Sequence, residues 1–269
     1  MSNSGNKVFP LYKAGVFQYE SRKELPTDRI ERLEQAIKQT TEKVDLIVCP
    51  ELFMSGYGDL EDIKRYAEQV DGHFAKSISH LAIKFNTSII YGYPELQSGK
   101  LYNSAQCFNK EGQFVINHRK TILPRTGYET ELFSSGQQNS TMQIEDMNIG
   151  LVICYELEFP EIIRNAAFNK IDLVIALTGQ SDQWPAAARY ISRSRAFENG
   201  VFVAYANSCG KNNGINFMGE SKIINPKGLD VVSAKDKEEL IIGEIDLNLI
   251  NFVRKKLPYL DDIKEIKNF

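Results

Sequence analysis

Three side chains that together could run an acyl transfer stand at the ends of apolar runs in this chain. Glu51 follows Leu46-Ile-Val-Cys-Pro50, Lys120 follows Phe114-Val-Ile-Asn-His-Arg119, and Cys154 follows Leu151-Val-Ile153. A carboxylate can take a thiol proton, the thiolate can attack a carbonyl carbon, and an ammonium can face the oxygen that gains charge. Singly, each is weak, because strand ends lie at surfaces where charged residues are simply solvated. Cys154 by itself reads as a small core hydrophobe, the usual state of a free cysteine. Three such groups at like positions in an α/β chain can instead share a crevice at the carboxyl edge of a sheet. A Cys–His arrangement is less well supported. His73 and His80 fall in a helical stretch and read as surface residues, and His118 lies inside a strand and reads as packed.

The elements that must position these groups follow from periodicity. The run ending at Cys154 is apolar and β-branched, the pattern of a strand buried on both faces, and Pro160 suits the first turn of a helix over 161–169. Other helices are expected at 28–43, 60–70, 74–85 and 186–199, the first opened by Asp28 and Glu31 as a capping box. Strand-like runs cover 12–19, 46–49, 88–93, 101–108, 113–119, 141–144, 172–177, 201–207, 219–224, 230–233 and 240–245. The irregular stretch 121–140, with Pro124, Gly127 and Gly136, is long enough to suggest a functional loop. So few helices for so many buried strands favour two stacked sheets with helices outside them. No repeat or linker interrupts the chain, so one domain over 1–269 is expected, with 247–269 a C-terminal tail whose charged part from 249 onward is extended and then helical.

Composition narrows the function class. Hydrophobic residues make up 42% and charged residues 25%, an ordinary globular balance. A net charge of −3 without a basic tract argues against a nucleic-acid partner. Cys49, Cys107, Cys154 and Cys209 lie far apart, which fits neither a zinc site nor a disulfide scaffold and points to a reducing compartment. The polar N-terminus lacks a signal peptide's apolar segment and no run is long enough to span a bilayer, so a cytoplasmic protein without membrane association is expected.

Three segments carry a resemblance. Pro50-Glu51-Leu-Phe-Met-Ser-Gly-Tyr57, His118-Arg-Lys120-Thr-Ile-Leu-Pro124 and Ile153-Cys154-Tyr-Glu-Leu-Glu-Phe-Pro160-Glu161 resemble, in order, the signatures of the nitrilase (carbon–nitrogen hydrolase) superfamily. Arg195-Ala-Phe-Glu198-Asn199 and the pair Gly219-Glu-Ser221 and Pro226-Lys-Gly228 resemble later parts of it, so the likeness spans about residues 10 to 245. It implies an α/β fold of the four-layer α-β-β-α sandwich type. It also implies Glu51 as general base, Lys120 as oxyanion-stabilising ammonium, Cys154 as nucleophile and the Tyr155 backbone N–H as second oxyanion donor. A further glutamate is expected ahead of Phe133-Ser-Ser-Gly136; Glu129 fits, with Glu131 as the alternative.

No metal or organic cofactor is implied. Cys-Tyr-Glu resembles amidases and carbamoyl-group hydrolases more than nitrilases, which carry Cys-Trp-Glu. The expected reaction is therefore hydrolysis of a small linear amide to acid and ammonia through a thioester. An N-carbamoyl hydrolase, a nitrilase or a non-catalytic binding homologue are the alternatives. Candidate pocket residues are Tyr57, Arg125, Tyr128, Thr178, Gly179, Gln180 and Trp184, although Gln180, Arg125 and Trp184 also suit loop, surface and packing roles. The likeness further implies a homodimer or larger assembly, paired across a helix-rich face with the tail on the partner.

Overall fold

Alternation of side chains along each strand decides how the chain stacks. The computed structural model describes residues 9–137 and 140–266. The polar N-terminus before residue 9, part of the loop expected at 121–140 and the last residues of the tail lie outside them. Strands β1 (Leu11–Glu20), β2 (Leu46–Val48), β3 (Ser88–Gln97), β4 (Lys100–Phe108) and β5 (Phe114–Arg119) build one sheet. β6 (Ser140–Ile144), β7 (Met147–Ile153), β8 (Leu173–Thr178) and β9 (Phe202–Asn212) build the other. β10 (Ile215–Met218) folds back on β9, while β11 (Lys222–Ile224) and β12 (Asp230–Ser233) extend the second sheet beyond it. β13 (Glu239–Asp246) returns to lie antiparallel to β1.

β2, which leads to Glu51, runs parallel to both neighbours, and β7, which leads to Cys154, runs parallel to β8 and antiparallel to β6. β2 lies between β1 and β3, and β8 between β7 and β9, all parallel; β3, β4 and β5 form an antiparallel meander. The sheets meet at one corner, where Tyr19 and Glu20 pair with Ser208 and Cys209.

Successive residues point to opposite faces. Leu46 and Val48 face Leu151, Ile153 and Ile175 in the core between the sheets. Their neighbour Ile47 packs outward with Leu33 and Ile37 of α1 (Pro26–Gln39), and Val152 packs outward with Ile162 and Ile163 of a helix described below. The layers are therefore helices, sheet, sheet, helices.

Several boundaries shift for local reasons. Pro26 opens α1 and Asp28 sits one turn in, where its carboxylate accepts the Leu25 N–H at 3.0 Å; the helix stops at Gln39. The second helix, α2 (Leu60–Tyr66), ends before residue 70 because Glu68 leaves to bridge Glu95. The Glu68 carboxylate then accepts the Phe74 and Ala75 N–H groups at 3.1 and 2.9 Å, capping α3 (His73–Phe85). The long loop holds a short helix, α4 (Glu129–Leu132), and α5 (Pro160–Phe168) follows the proline as expected. The helix expected at 186–199 divides into a π-helical stretch, Ala187–Ile191, and α6 (Ser192–Asn199). The tail is helical from its start, as α7 (Leu247–Lys256) and α8 (Tyr259–Asp262), with no extended lead. No helix among the described residues is long and apolar enough to cross a membrane.

Candidate active site

β2 stops at Val48, and Cys49 and Pro50 lead to Glu51 in the interior, 2% exposed. β5 ends one residue before Lys120, which is fully buried. The Lys120 backbone is fixed from both sides: its N–H donates to Asn103 O and its carbonyl accepts from Gly136 N, each at 2.8 Å. Gly136 lies so close that a Cβ there would come within 2.2 Å of the Arg119 carbonyl oxygen. α4 brings in Glu129, 2% exposed, whereas Glu131 on the same turn is exposed.

The three charges close into one network. The Lys120 Nζ donates to Glu51 Oε1 at 2.8 Å and to Glu129 Oε1 and Oε2 at 3.0 and 2.8 Å. Asn103 Nδ2 donates to Glu51 Oε1 at 2.7 Å, and the Tyr57 hydroxyl donates to Glu129 Oε1 at 2.7 Å. Glu51 Oε2 is buried and has no hydrogen-bond partner among the described residues. Burial pushes the Glu51 carboxyl above the usual carboxylate range, against the pull of Lys120 and with help from Glu129. Burial also works against the Lys120 charge, but the Glu51 and Glu129 carboxylates outweigh it and hold the ammonium above its usual value.

Cys154 sits on the other sheet, immediately after β7, where the chain enters a 3₁₀ turn, Cys154–Glu158. Its φ is +49°, left-handed backbone that an L residue adopts at a cost. Burial and then the Glu51 charge hold its thiol well above the ordinary value, while Lys120 and the Gly179 backbone amide oppose them. At rest Cys154 is thus a thiol, which could act as a nucleophile only with a base beside it.

Glu156 holds this turn against β5. Its Oε2 accepts from Ile153 N at 2.6 Å and pairs with His118 Nε2 at 2.8 Å, while Oε1 accepts from Thr121 N and Oγ1 at 2.7 and 2.6 Å. Burial would raise its pKa, but His118 and the Thr121 donors prevail and lower it. A depressed carboxylate stabilises the fold above its unfolded pKa, and that contribution is lost as pH falls through the folded one. Glu156→Gln should cost about 1.5–3 kcal/mol near neutrality, and the gap to the native chain should close in acid; urea titrations at several pH values measure this. A gap that stays constant into acid would show that the charge contributes nothing.

A cavity of about 410 Å³ opens beside these groups. Tyr57, Glu129, Cys154, Tyr155, Gly179, Gln180 and Trp184 line it, together with Glu158 and neutral polar side chains. The Cys154 Sγ lies 3.9 Å from Gln180 Oε1, and Gln180 is held by its N–H to Asn207 Oδ1 at 2.7 Å and by its Nε2 to the Trp184 carbonyl at 3.0 Å. A Cβ on Gly179 would stand 3.1 Å from the Tyr57 ring and 3.2 Å from Glu51 Oε2, so glycine lets the Glu51 carboxylate and the cavity approach.

The remaining candidates are placed differently. Arg125 is exposed and outside the lining; Thr178 is buried with its hydroxyl on Ala206 O and Asn207 Oδ1; Tyr128 packs on Tyr57 and accepts from Gly58 N. Trp184 is 71% exposed at the rim, and its ring is not packed into the core. Asn103, Glu156 and Glu158 were not among the expected site residues. The only sequence signal for Asn103 and Glu156 is a polar residue inside or beside an apolar run. Among the described residues no three His, Cys, Asp or Glu side chains group as metal ligands.

Comparison with known proteins identifies the family. The carbon-nitrogen hydrolase family model matches residues 13–255. The chain is 35% identical over 265 residues to a Pseudomonas protegens protein described as a hydrolase in the pqqF 5' region, covering 97% of this chain and 91% of that one. It is 30% identical over 246 residues to the 2-oxoglutaramate amidase of Bacillus subtilis, covering 89% and 93%. Its fold matches Saccharomyces cerevisiae Nit3, a member of branch 10 of the nitrilase superfamily, with TM-score 0.87 and 25% identity, covering 99% of this chain and 100% of that one. The chain therefore belongs to the carbon–nitrogen hydrolase family of the nitrilase superfamily and is an enzyme of that class.

Proposed function

We propose that the enzyme hydrolyses a small linear amide to a carboxylic acid and ammonia through a thioester on Cys154. The observation that carries this reading is the Glu51–Lys120–Glu129 network beside the cavity that Cys154 lines. Glu51 takes the thiol proton and the sulfur attacks the amide carbon, forming C–S while the carbonyl electron pair moves onto oxygen. Lys120 and the Tyr155 N–H face that oxygen.

The three donors of Lys120 are all engaged at rest. As Glu51 gains a proton its hold on Lys120 weakens and one N–H turns to the oxyanion, while Glu129 keeps the ammonium balanced. Collapse breaks C–N, and Glu51 passes its proton to the departing nitrogen. Water then gives a proton to Glu51 and its oxygen to the acyl carbon, C–S breaks, and Glu51 returns that proton to the departing sulfur, restoring the thiol and the carboxylate base.

The test is a panel of small amides, N-carbamoyl compounds and nitriles, followed by ammonia release and by intact mass of protein quenched during turnover. Ammonia from amides, with an acyl adduct on Cys154, is the expected result. Carbon dioxide released with the ammonia would assign a carbamoyl substrate instead, and turnover of nitriles alone would assign a nitrilase. An absence of both product and adduct across the panel would reject the amidase reading.

A further inference from the structure

We propose that the cavity selects amides bearing a positive charge, with Glu158 as the specificity-determining carboxylate. This deepens the amidase reading and rests on it for the identity of the cavity. Glu129 and Glu158 are the charged side chains in the cavity wall, and none of the described residues lining it is Lys, Arg or His. Glu129 is committed to Lys120 and Tyr57. Glu158 makes no salt bridge or side-chain hydrogen bond among the described residues, yet its backbone is held in place by Arg195 Nη2, which donates to its carbonyl at 2.6 Å.

The nearby cations are spent elsewhere. Arg195 donates from Nε to Leu157 O at 2.9 Å and from Nη1 to Glu198 Oε1 at 3.0 Å, and Lys120 is surrounded by its two carboxylates. Burial holds the Glu158 carboxyl above the usual range, with Lys120 and Arg195 pulling the other way. A cationic substrate would supply the missing partner. The rest of the wall is neutral, including Gln180, Ser181, Gln183 and Asn216, so an amide whose far end is a carboxylate meets a like charge with nothing to offset it. The buried, unpartnered Glu51 Oε2 belongs to the reacting group, and Glu158 is the wall carboxylate left to meet a charge on the substrate.

The experiment compares 3-aminopropanamide, butyramide and succinamate at neutral pH, which carry an ammonium, a methyl and a carboxylate at the far end. The native enzyme should prefer the ammonium amide over butyramide by about tenfold in kcat/KM, with succinamate poorest. Glu158→Gln should erase that ratio through KM, and Glu158→Arg should move the preference toward succinamate. Should Glu158→Arg fail to fold, the native ranking and Glu158→Gln still decide. A native preference for butyramide or succinamate, or an unchanged ratio in Glu158→Gln, would overturn the proposal. So would a succinamate preference lost in Arg125→Ala, which would give the role to Arg125. Binding of the same three amides to Cys154→Ala separates the two readings. No turnover by the native enzyme with the ammonium amide still bound best rejects the amidase and supports the charge preference; turnover with no charge ranking does the reverse.

Discussion

Lys120→Met should turn over amides at least about 10²–10³-fold more slowly than the native enzyme, the usual effect of losing one oxyanion donor. The loss reaches past the oxyanion. Lys120 is the ammonium that Glu51 and Glu129 both contact, and all three side chains are buried. Without it two carboxylates face each other in the interior, each lacking its counter-charge. Removing one partner of a buried ion pair typically costs about 3–5 kcal/mol of stability. One of the carboxyls is then expected to take up a proton, and if that is Glu51 the base is gone as well. Methionine keeps the length and apolar stem of lysine, so packing is not the variable. Steady-state ammonia release and urea unfolding at neutral pH read the two effects together. A variant within tenfold of native activity would remove Lys120 from the mechanism, and unchanged stability would show that the network is not the ion cluster described.

Cys154→Ala should lower turnover to background, roughly 10⁴–10⁶-fold as for a catalytic nucleophile in a concerted unit, while the fold persists. The side chain is half-buried at the cavity, so trimming it removes few contacts; its sulfur lies 3.9 Å from Gln180 Oε1. Cys49, Cys107 and Cys209 are buried and lie outside the cavity lining, so none can stand in. In the native enzyme iodoacetamide should therefore modify Cys154 ahead of the other three, and peptide mass spectrometry should locate the label. Retained turnover in Cys154→Ala would exclude covalent catalysis at this position.

The apolar strands were legible in the sequence because burial on both faces leaves few alternatives to β-branched and aliphatic residues. Glu51, Lys120 and Cys154 stood out for the same reason, since each ends such a run. What periodicity could not show is which polar residues a distant partner draws inside. Asn103 sits in a strand among buried neighbours and becomes meaningful only when Glu51 arrives from another strand. Glu156 is two residues past the cysteine, yet its partners His118 and Thr121 come from β5 and the loop after it. Helix ends depart from the periodicity where a side chain makes a tertiary commitment, as Glu68 does in leaving α2 to cap α3. Arg125 shows the converse: closeness in sequence to Lys120 does not put its side chain in the cavity wall.

The backbone at Cys154 matters to anyone reshaping this enzyme. With φ at +49°, the position favours glycine on conformational grounds alone, since glycine occupies that region without the clash a Cβ brings. Local stability and the proposed chemistry thus ask for different residues at the same place. A thermostability screen with no activity readout would be free to drift toward glycine there, and its better-melting variants would include inert ones. Engineering should hold position 154 fixed and look for its gains in surface helices and loops away from the cavity.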